Sequence, residues 1–376
     1  MGKSIFIISG EESGDMHGAA LMRALRGIMP GLAVRGMGGE RMRKEGLMGL
    51  DSKAVSVVGI TEVIGRFPAI LRAFNALVKD AASTRPDAVV LIDFPDFNLR
   101  FAVKAKKLGI PVIYYISPQV WAWRKGRIKK IAALVDKMLV VFPFEEALYR
   151  NEGVQVEYVG HPLKDIAVSA LSTLDARRSM SIAPHAKVIA LLPGSRTSEV
   201  ERHLPVMLRA AEMIDQGLGE KCIFLIPAAS GIEDSLINGF LEERQTQARV
   251  LRGGLYTALR ASDAAIVASG TATLETALIG TPMVIIYKVS ALSYSIGKAL
   301  IDMEFYGLPN IVAGRKIVEE LIQSEAAPEA ISSEILQILK DIKKRNDIIQ
   351  SYDAVRERLG SGAAEKAAKA IAMLIS

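Results

Sequence analysis

Short runs of Val, Ile and Leu recur along the chain, separated by longer stretches in which apolar residues return at helical spacing. They read "SIFIISG", "DAVVLIDF", "PVIYYIS", "KMLVVFP" and "VEYVGHP", then "KVIALLP", "CIFLIPA", "AAIVASG" and "PMVIIY". A strand with one wet face alternates polar and apolar residues. An uninterrupted apolar run predicts a strand covered on both faces, as in a parallel sheet packed with crossover helices. The pattern therefore predicts α/β architecture. The rhythm breaks between residues 160 and 185, which read as polar and helical before a new strand begins at Lys187, and this places a hinge at 162–165. The expected division is an N-terminal domain, 1–165, and a C-terminal domain, 166–344. The strandless segment 345–376 is expected to return to the first domain.

Length agrees, because 376 residues exceed what one core usually serves. Half the residues are hydrophobic and 23% are charged, an ordinary globular balance that makes disorder unexpected. The single cysteine, Cys222, lies in the apolar run "KCIFLIP", which excludes disulfides and cysteine-rich metal sites and points to a reducing, cytoplasmic compartment. The apolar run before the first acids is too short for a signal peptide. The longest uncharged stretch, 108–123, has 16 residues with two prolines, short of the roughly 20 a membrane-spanning helix needs. A net charge of +6 suggests an anionic partner: a phosphorylated substrate, an acidic lipid surface or nucleic acid.

In open α/β sheets ligands sit beyond the carboxyl ends of the strands, so the loops after the apolar runs carry the functional reading. No P-loop motif occurs, and "GMGGER" misses the dinucleotide spacing because residue 41 is Arg. After the first strand comes "SGEESGDMHG", in which Gly10 and Gly14 permit close approach and Ser13 and Asp15 are placed to cap the following helix. "PGSR" offers Gly194 and Ser195 backbone N–H groups and the Arg196 fork to phosphate oxygens. "SGTATLE" brings Ser269, Gly270, Thr271, Ala272 and Thr273 to a helix N-terminus, with Glu275 one turn in. That acid either accepts hydrogen bonds from a ligand's hydroxyls or serves as a capping-box acid. "DFPDFN" sets Asp93 and Asp96 three residues apart at the mouth of a buried strand. His17 and His161 are read as structural. "WAWRKGRIKKI", with Trp121, Trp123, Arg124, Lys125, Arg127, Lys129 and Lys130, allows a rival nucleic-acid-binding reading, although a basic helix is more often a solvated face.

The ordered set "SGEESGDMHG", "GMGGERM", "DFPDFNLR", "YYISPQVWAWRKGRIKKI", "VFPFE", "VGHPL", "LLPGSR", "SGTATLE" and "LPNIVAGR" resembles the lipid-A-disaccharide synthase family over nearly the whole chain. The resemblance implies two Rossmann-like domains of the GT-B glycosyltransferase type with a cleft between them. The N-terminal domain would face acceptor and membrane; the C-terminal one would bind the UDP-sugar. The implied enzyme is an inverting hexosyltransferase that joins UDP-2,3-diacylglucosamine to 2,3-diacylglucosamine 1-phosphate. Its products are a β(1→6) disaccharide 1-phosphate and UDP. It would use no cofactor or metal, and the chain indeed has no Asp-x-Asp to bridge a cation to a diphosphate. The resemblance also makes Asn310 a donor-site residue. Another UDP-sugar enzyme of the same architecture, such as a UDP-N-acetylglucosamine 2-epimerase, is the alternative. Expected partners are the two lipid substrates and the cytoplasmic side of the inner membrane, with no nucleic acid; a homodimer is a possible assembly.

Two further expectations follow. In "GRFPAILRAFNALVK", at about 100° per residue, Phe67, Ile70, Leu71, Phe74, Leu77 and Val78 share an arc of roughly 120° with Arg72 and Lys79 opposite. Such a helix packs on a sheet or rests at a membrane interface, and diacylated substrates favour the second use, with Phe67, Ile70, Leu71, Arg72 and Phe74 in contact. Glycosyl transfer to a hydroxyl needs one base, because Arg196 and helix dipoles can stabilise departing UDP. Asp96 is assigned that role, with Asp93 holding the loop and serving as the fallback base.

Overall fold

The computed structural model describes residues 2–52, 60–118, 127–242, 247–289 and 304–376; of 60–67 only the backbone is described. The chain divides into two compact units, Met1–Asp165 with Leu359–Ser376, and Ile166–Arg358.

In the first unit β1 (Ser4–Ser9), β2 (Ala33–Gly38), β3 (Met48–Asp51), β4 (Ala88–Ile92), β5 (Val112–Tyr115), β6 (Lys137–Val140) and β7 (Gln155–Tyr158) form a parallel sheet of order β3-β2-β1-β4-β5-β6-β7. In the second, β8 (Val188–Leu192), β9 (Ile223–Ala228), β10 (Ala248–Arg252), β11 (Ala264–Ala268), β12 (Met283–Tyr287) and β13 (Glu320–Ile322) are parallel in the order β10-β9-β8-β11-β12-β13. β4 and β8 are buried at every residue, as their unbroken apolar runs require.

β2, β3, β10 and β13 lack such runs and went unpredicted. β2 and β3 carry glycines instead. Gly36 (φ +132°) and Gly49 (φ +142°) sit where an added Cβ would lie 2.0 Å from Ile7 O and 2.1 Å from Gly36 O. Only glycine fits, and it removes the hydrophobic signal.

Only part of the C-terminal segment returns to the first unit. The Ala363–Ile375 helix packs on the Glu12–Ile28 helix, and the Asp165 carboxylate accepts from Gly362 N and Ala363 N at its start, at 3.0 and 3.2 Å. The expected return of 345–376 is corrected for 345–358. These residues belong to the Ile342–Arg358 helix, where the Arg356 guanidinium donates to Ala277 O and Leu278 O, and Arg358 to Val312 O. Cations on the terminal carbonyls of two second-unit helices hold it there.

The proposed membrane stripe lies within the Ile60–Thr84 helix and turns mostly inward. Leu77 is buried, while Ile70, Phe74 and Val78 pack against the core beneath the first sheet. The Phe74 ring meets Phe97 and Phe101 edge-on, at centroid distances of 5.3 and 6.1 Å. Membrane contact by Ile70 and Phe74 is therefore corrected: both are partly buried against the core of the first unit, Phe74 against two rings of the Pro95–Lys107 helix. Leu71 and Arg72 are exposed, and the Phe67 side chain lies outside the described residues. So do Trp121, Trp123, Arg124 and Lys125. Among the described residues no helix is long and apolar enough to cross a membrane.

Candidate active site

Both sheets wind outward from a central strand, β1 or β8, and then cross to its other side, to β4 or β11. The loops leaving β1 and β4 diverge, as do those leaving β8 and β11, and each divergence opens a crevice at the strands' carboxyl ends.

In the first unit Ser9 pairs with Ile92, so Gly10 and Asp93 emerge side by side. A Cβ on Gly10 would lie 2.4 Å from the Phe94 ring, and one on Gly14 2.4 Å from Ser9 Oγ. Asp93 and Phe94 both occupy the left-handed region, φ +47° and +48°. Such a conformation costs on the order of 1–3 kcal/mol per residue unless its surroundings enforce it. Asn98 Nδ2 donates to Asp93 O (2.7 Å) and Ile92 O (3.2 Å), Tyr114 OH donates to Asp93 O (2.6 Å), and the Phe94 ring stacks on Phe97. Sequence reasoning missed Asn98 and Tyr114; the Asn of "DFPDFN" was the available signal.

The two acids of this loop differ in environment. Burial, followed by the charge of Glu11, raises the Asp93 carboxyl to about 6, against a hydrogen bond from Phe94 N–H that lowers it. The Asp96 side chain is 76% exposed and its Oδ1 accepts from Arg127 Nη1 at 3.2 Å. Of the preceding loop, Ser13 is exposed while Asp15 is buried. Asp15 was expected to cap its own helix. That helix already begins at Glu12, so the carboxylate instead accepts from Arg41 N and Met42 N, both at 3.0 Å, and caps the Glu40–Lys44 helix. Its oxygens are thereby committed. Burial, then Arg41, lowers His17 to about 4, and burial, then His17, lowers His161 to about 3.

In the second unit Leu192 pairs with Val267, so 193–196 and 269–271 leave the sheet together. Gly194 has φ +125°, and a Cβ there would lie 2.5 Å from Glu199 Oε2. That oxygen accepts from Ser195 N (2.9 Å) and Arg196 N (3.2 Å). Of the two amides expected to hold phosphate, Gly194 and Ser195, that of Ser195 is therefore taken by Glu199, the acid three residues into the capping box, along with that of Arg196. What remains for an anion is the exposed Ser195 hydroxyl and the Arg196 guanidinium, whose side chain is 68% exposed. His203 fastens the same turn. Lys288 N–H donates to its Nε2 (3.0 Å), so Nδ1 carries the proton and donates to Pro193 O (2.8 Å).

The Thr271–Ile279 helix begins after Gly270. Thr271 is exposed and Ala272 half-buried, whereas Thr273 is fully buried with its hydroxyl on Gly270 O at 2.7 Å, which removes it from the ligand-facing set. Ser269 Oγ donates to Tyr306 O (2.9 Å). Glu275 does not cap the helix; its Oε1 accepts from Tyr256 OH at 2.8 Å, and burial raises its pKa. Asn310 requires a correction as a direct donor contact. It is fully buried, its Oδ1 accepts from Ile317 N (2.7 Å) and Val318 N (3.1 Å), and its Nδ2 donates to Val318 O (3.0 Å) and Glu320 Oε1 (2.7 Å). Glu320, also missed from sequence, accepts from Tyr306 N and Gly307 N. Asn310 thus supports the backbone that holds Ser269.

Solved structures share the fold. UDP-GlcNAc 2-epimerase from Neisseria meningitidis bound to UDP-GlcNAc aligns with a TM-score of 0.67 at 11% identity, covering 99% of this chain and 100% of that one. MurG from Acinetobacter baumannii aligns at 0.60 and 15%, with coverage of 99% and 100%. At these identities the likeness shows the fold, the two-domain GT-B architecture. Sequence relatives are much nearer. Lipid-A-disaccharide synthase of Syntrophus aciditrophicus is 47% identical over 369 residues, 97% of this chain and 96% of the relative; that of Myxococcus xanthus is 41% identical over 374 residues, 99% and 97%. The model of one protein family, lipid-A-disaccharide synthetase, matches residues 5–374. With both switch-point crevices inside that match, the chain belongs to the lipid-A-disaccharide synthetase family.

Proposed function

We propose that this chain condenses UDP-2,3-diacylglucosamine with 2,3-diacylglucosamine 1-phosphate to the β(1→6) disaccharide 1-phosphate and UDP. The observation that carries the proposal is the family match over residues 5–374, together with 47% identity to a named synthase across 97% of the chain. Membership makes the chain a glycosyltransferase of lipid A disaccharide synthesis. The identity of both substrates and the residue roles belong to the proposal.

In that reading the acceptor's 6-hydroxyl attacks the anomeric carbon of the donor. A carboxylate takes the hydroxyl proton as the new C–O bond forms, and the bond to the diphosphate oxygen breaks with its electron pair leaving on UDP. Asp93 is the better base, exchanging the roles read from sequence. A general base works best with a pKa close to the working pH, and Asp93 is raised to about 6 while Asp96 faces solvent beside Arg127. The Arg196 fork and the amino end of the Thr271–Ile279 helix would stabilise the diphosphate as it departs. Glu275 would accept from the donor's hydroxyls. Peripheral attachment to the inner membrane belongs to the same reading, with exposed Leu71 and Arg72 as its remaining described contacts.

The test is to incubate the purified protein with both lipid substrates and EDTA, then measure UDP release and the product's mass. UDP formed in step with a disaccharide 1-phosphate is the expected result. No product, UDP release without acceptor, or epimerisation of UDP-N-acetylglucosamine would overturn the proposal.

A further inference from the structure

Tyr256 takes no part in the chemistry above, yet it touches the donor crevice through one contact. It lies on the Leu255–Ala261 helix, which follows β10 and starts from the left-handed Gly254 (φ +69°). This helix packs against the Thr271–Ile279 helix, and Thr281 Oγ1 fastens it by donating to Leu259 O at 2.7 Å. The Tyr256 hydroxyl donates to Glu275 Oε1 at 2.8 Å, whereas Oε2 accepts no hydrogen bond from the described residues and is not sealed from solvent.

A half-buried carboxylate with one oxygen tethered has few orientations left. Its second oxygen is an acceptor of fixed direction one turn into the helix that begins at the switch point. An anion is excluded as its partner by like charge. A hydroxyl fits, because it donates without adding negative charge and relieves the incomplete solvation of a buried carboxylate.

We propose that Tyr256 is a positioning residue that fixes Glu275 to accept a ribose hydroxyl of the donor nucleotide. The site would thereby select ribonucleoside over deoxyribonucleoside diphosphates. The proposal rests on the reading of 269–275 as the donor site. Selection of this kind is steep, since a deoxy analogue leaves a buried acceptor without its partner. Tyr256→Phe keeps the ring and removes only the tether, so it should act on the hydroxyl-dependent part of binding. It also removes the hydrogen bond that opposes the burial-raised pKa of Glu275. The variant's carboxylate would then take up a proton at a higher pH.

Calorimetric titration of the full chain with UDP, 2′-deoxy-UDP and 3′-deoxy-UDP at several pH values tests this. The wild type should bind at least one deoxy analogue about ten-fold more weakly than UDP. Tyr256→Phe should lose about ten-fold for UDP but less than about two-fold for that analogue, erasing the preference. Its UDP affinity should also begin to fall at a higher pH on acidification. Equal losses for all three nucleotides, or a wild type indifferent to both ribose hydroxyls, would overturn the role of Tyr256. Glu275→Gln binding UDP as tightly as wild type would instead overturn the donor-site reading, and the two failures are thereby separable.

Discussion

Asp93→Asn should make the protein more stable and almost inactive. The folded state raises the carboxyl from 3.8 to about 6, chiefly by burial and then by Glu11. Between those values the native chain keeps a proton that the unfolded chain releases, so stability falls as pH rises through the window. At about 1.4 kcal/mol per pKa unit, the ionised carboxylate costs the fold at most about 3 kcal/mol above pH 7. Asparagine carries no such cost. Its stability advantage should grow from about 1 kcal/mol at pH 4.5 to about 3 kcal/mol at pH 8, read as the variant-minus-wild-type difference in urea titrations. Turnover, followed as UDP release, should drop by about 10²-fold or more with UDP affinity little changed. In the wild type kcat/KM should decline as pH falls below about 6, where Asp93 is protonated, and the variant's residual activity should lack that limb. A pH-independent stability difference would refute the buried-carboxylate account. Near-normal turnover would refute Asp93 as the base and return the role to Asp96, tested in the same way by Asp96→Asn.

Arg196→Ala should weaken UDP binding and slow turnover, and Arg196→Lys should restore neither fully, because a point charge lacks the fork; unchanged titrations and rates would remove Arg196 from the site. Asn310→Ala leaves the buried Ile317 N, Val318 N and Val318 O without their side-chain partner and takes one of three donors from Glu320, and should lower stability by roughly 3 kcal/mol or more, with UDP affinity falling as the Ser269 turn loosens; a neutral result in denaturation would contradict the network. Leu71→Asp should reduce binding to anionic vesicles with the melting temperature unchanged, whereas Phe74→Asp should destabilise the first unit by placing a charge against Phe97 and Phe101. Activity lost in EDTA and restored by Mg²⁺ would refute the metal-free mechanism.

How much of this was legible in sequence depends on what each residue must say locally. The buried central strands announce themselves, because a strand covered on both faces has no polar positions to blur its run. Edge strands do not: β2 and β3 rely on Gly36 and Gly49 for close backbone approach, and β10 is half exposed. The apolar arc around Phe74 was read correctly as amphipathic, but periodicity cannot say whether a lipid or a protein core covers the face. Phe97 and Phe101 answer that, and they lie on another element. Loop chemistry was legible as residue types and opaque as partners. "PGSR" suggests an anion site in any strand-to-helix turn, yet Glu199, three residues past Arg196, takes one of the two amides the suggestion depends upon, that of Ser195.

The same limit bears on the proposed exchange of roles between Asp93 and Asp96. A proline two residues after Asp93 suggests a loop-holding acid, and an acid beyond it suggests one free to react. The loop is in fact held by its backbone: Asn98 and Tyr114 both donate to Asp93 O, which releases the Asp93 side chain from that task. Those two donors also stabilise left-handed backbone at Asp93, where the carboxyl is buried near Glu11 and made more basic. The second unit treats its acid in the opposite way. Glu199 gains two backbone N–H donors and is spent on holding the turn, its other oxygen 3.5 Å from Nη1 of the mostly exposed Arg196, the cation proposed to meet the diphosphate. A crevice that must accept a proton keeps its carboxylate poorly solvated. One that must hold a diphosphate satisfies its carboxylate internally and presents a cation. Asn98→Ala tests this directly: with its carbonyl held only by Tyr114, Asp93 should relax toward solvent, and the acid limb of kcat/KM should move below pH 6 while UDP affinity stays the same. An unmoved limb would mean that burial of Asp93 does not depend on the strained backbone.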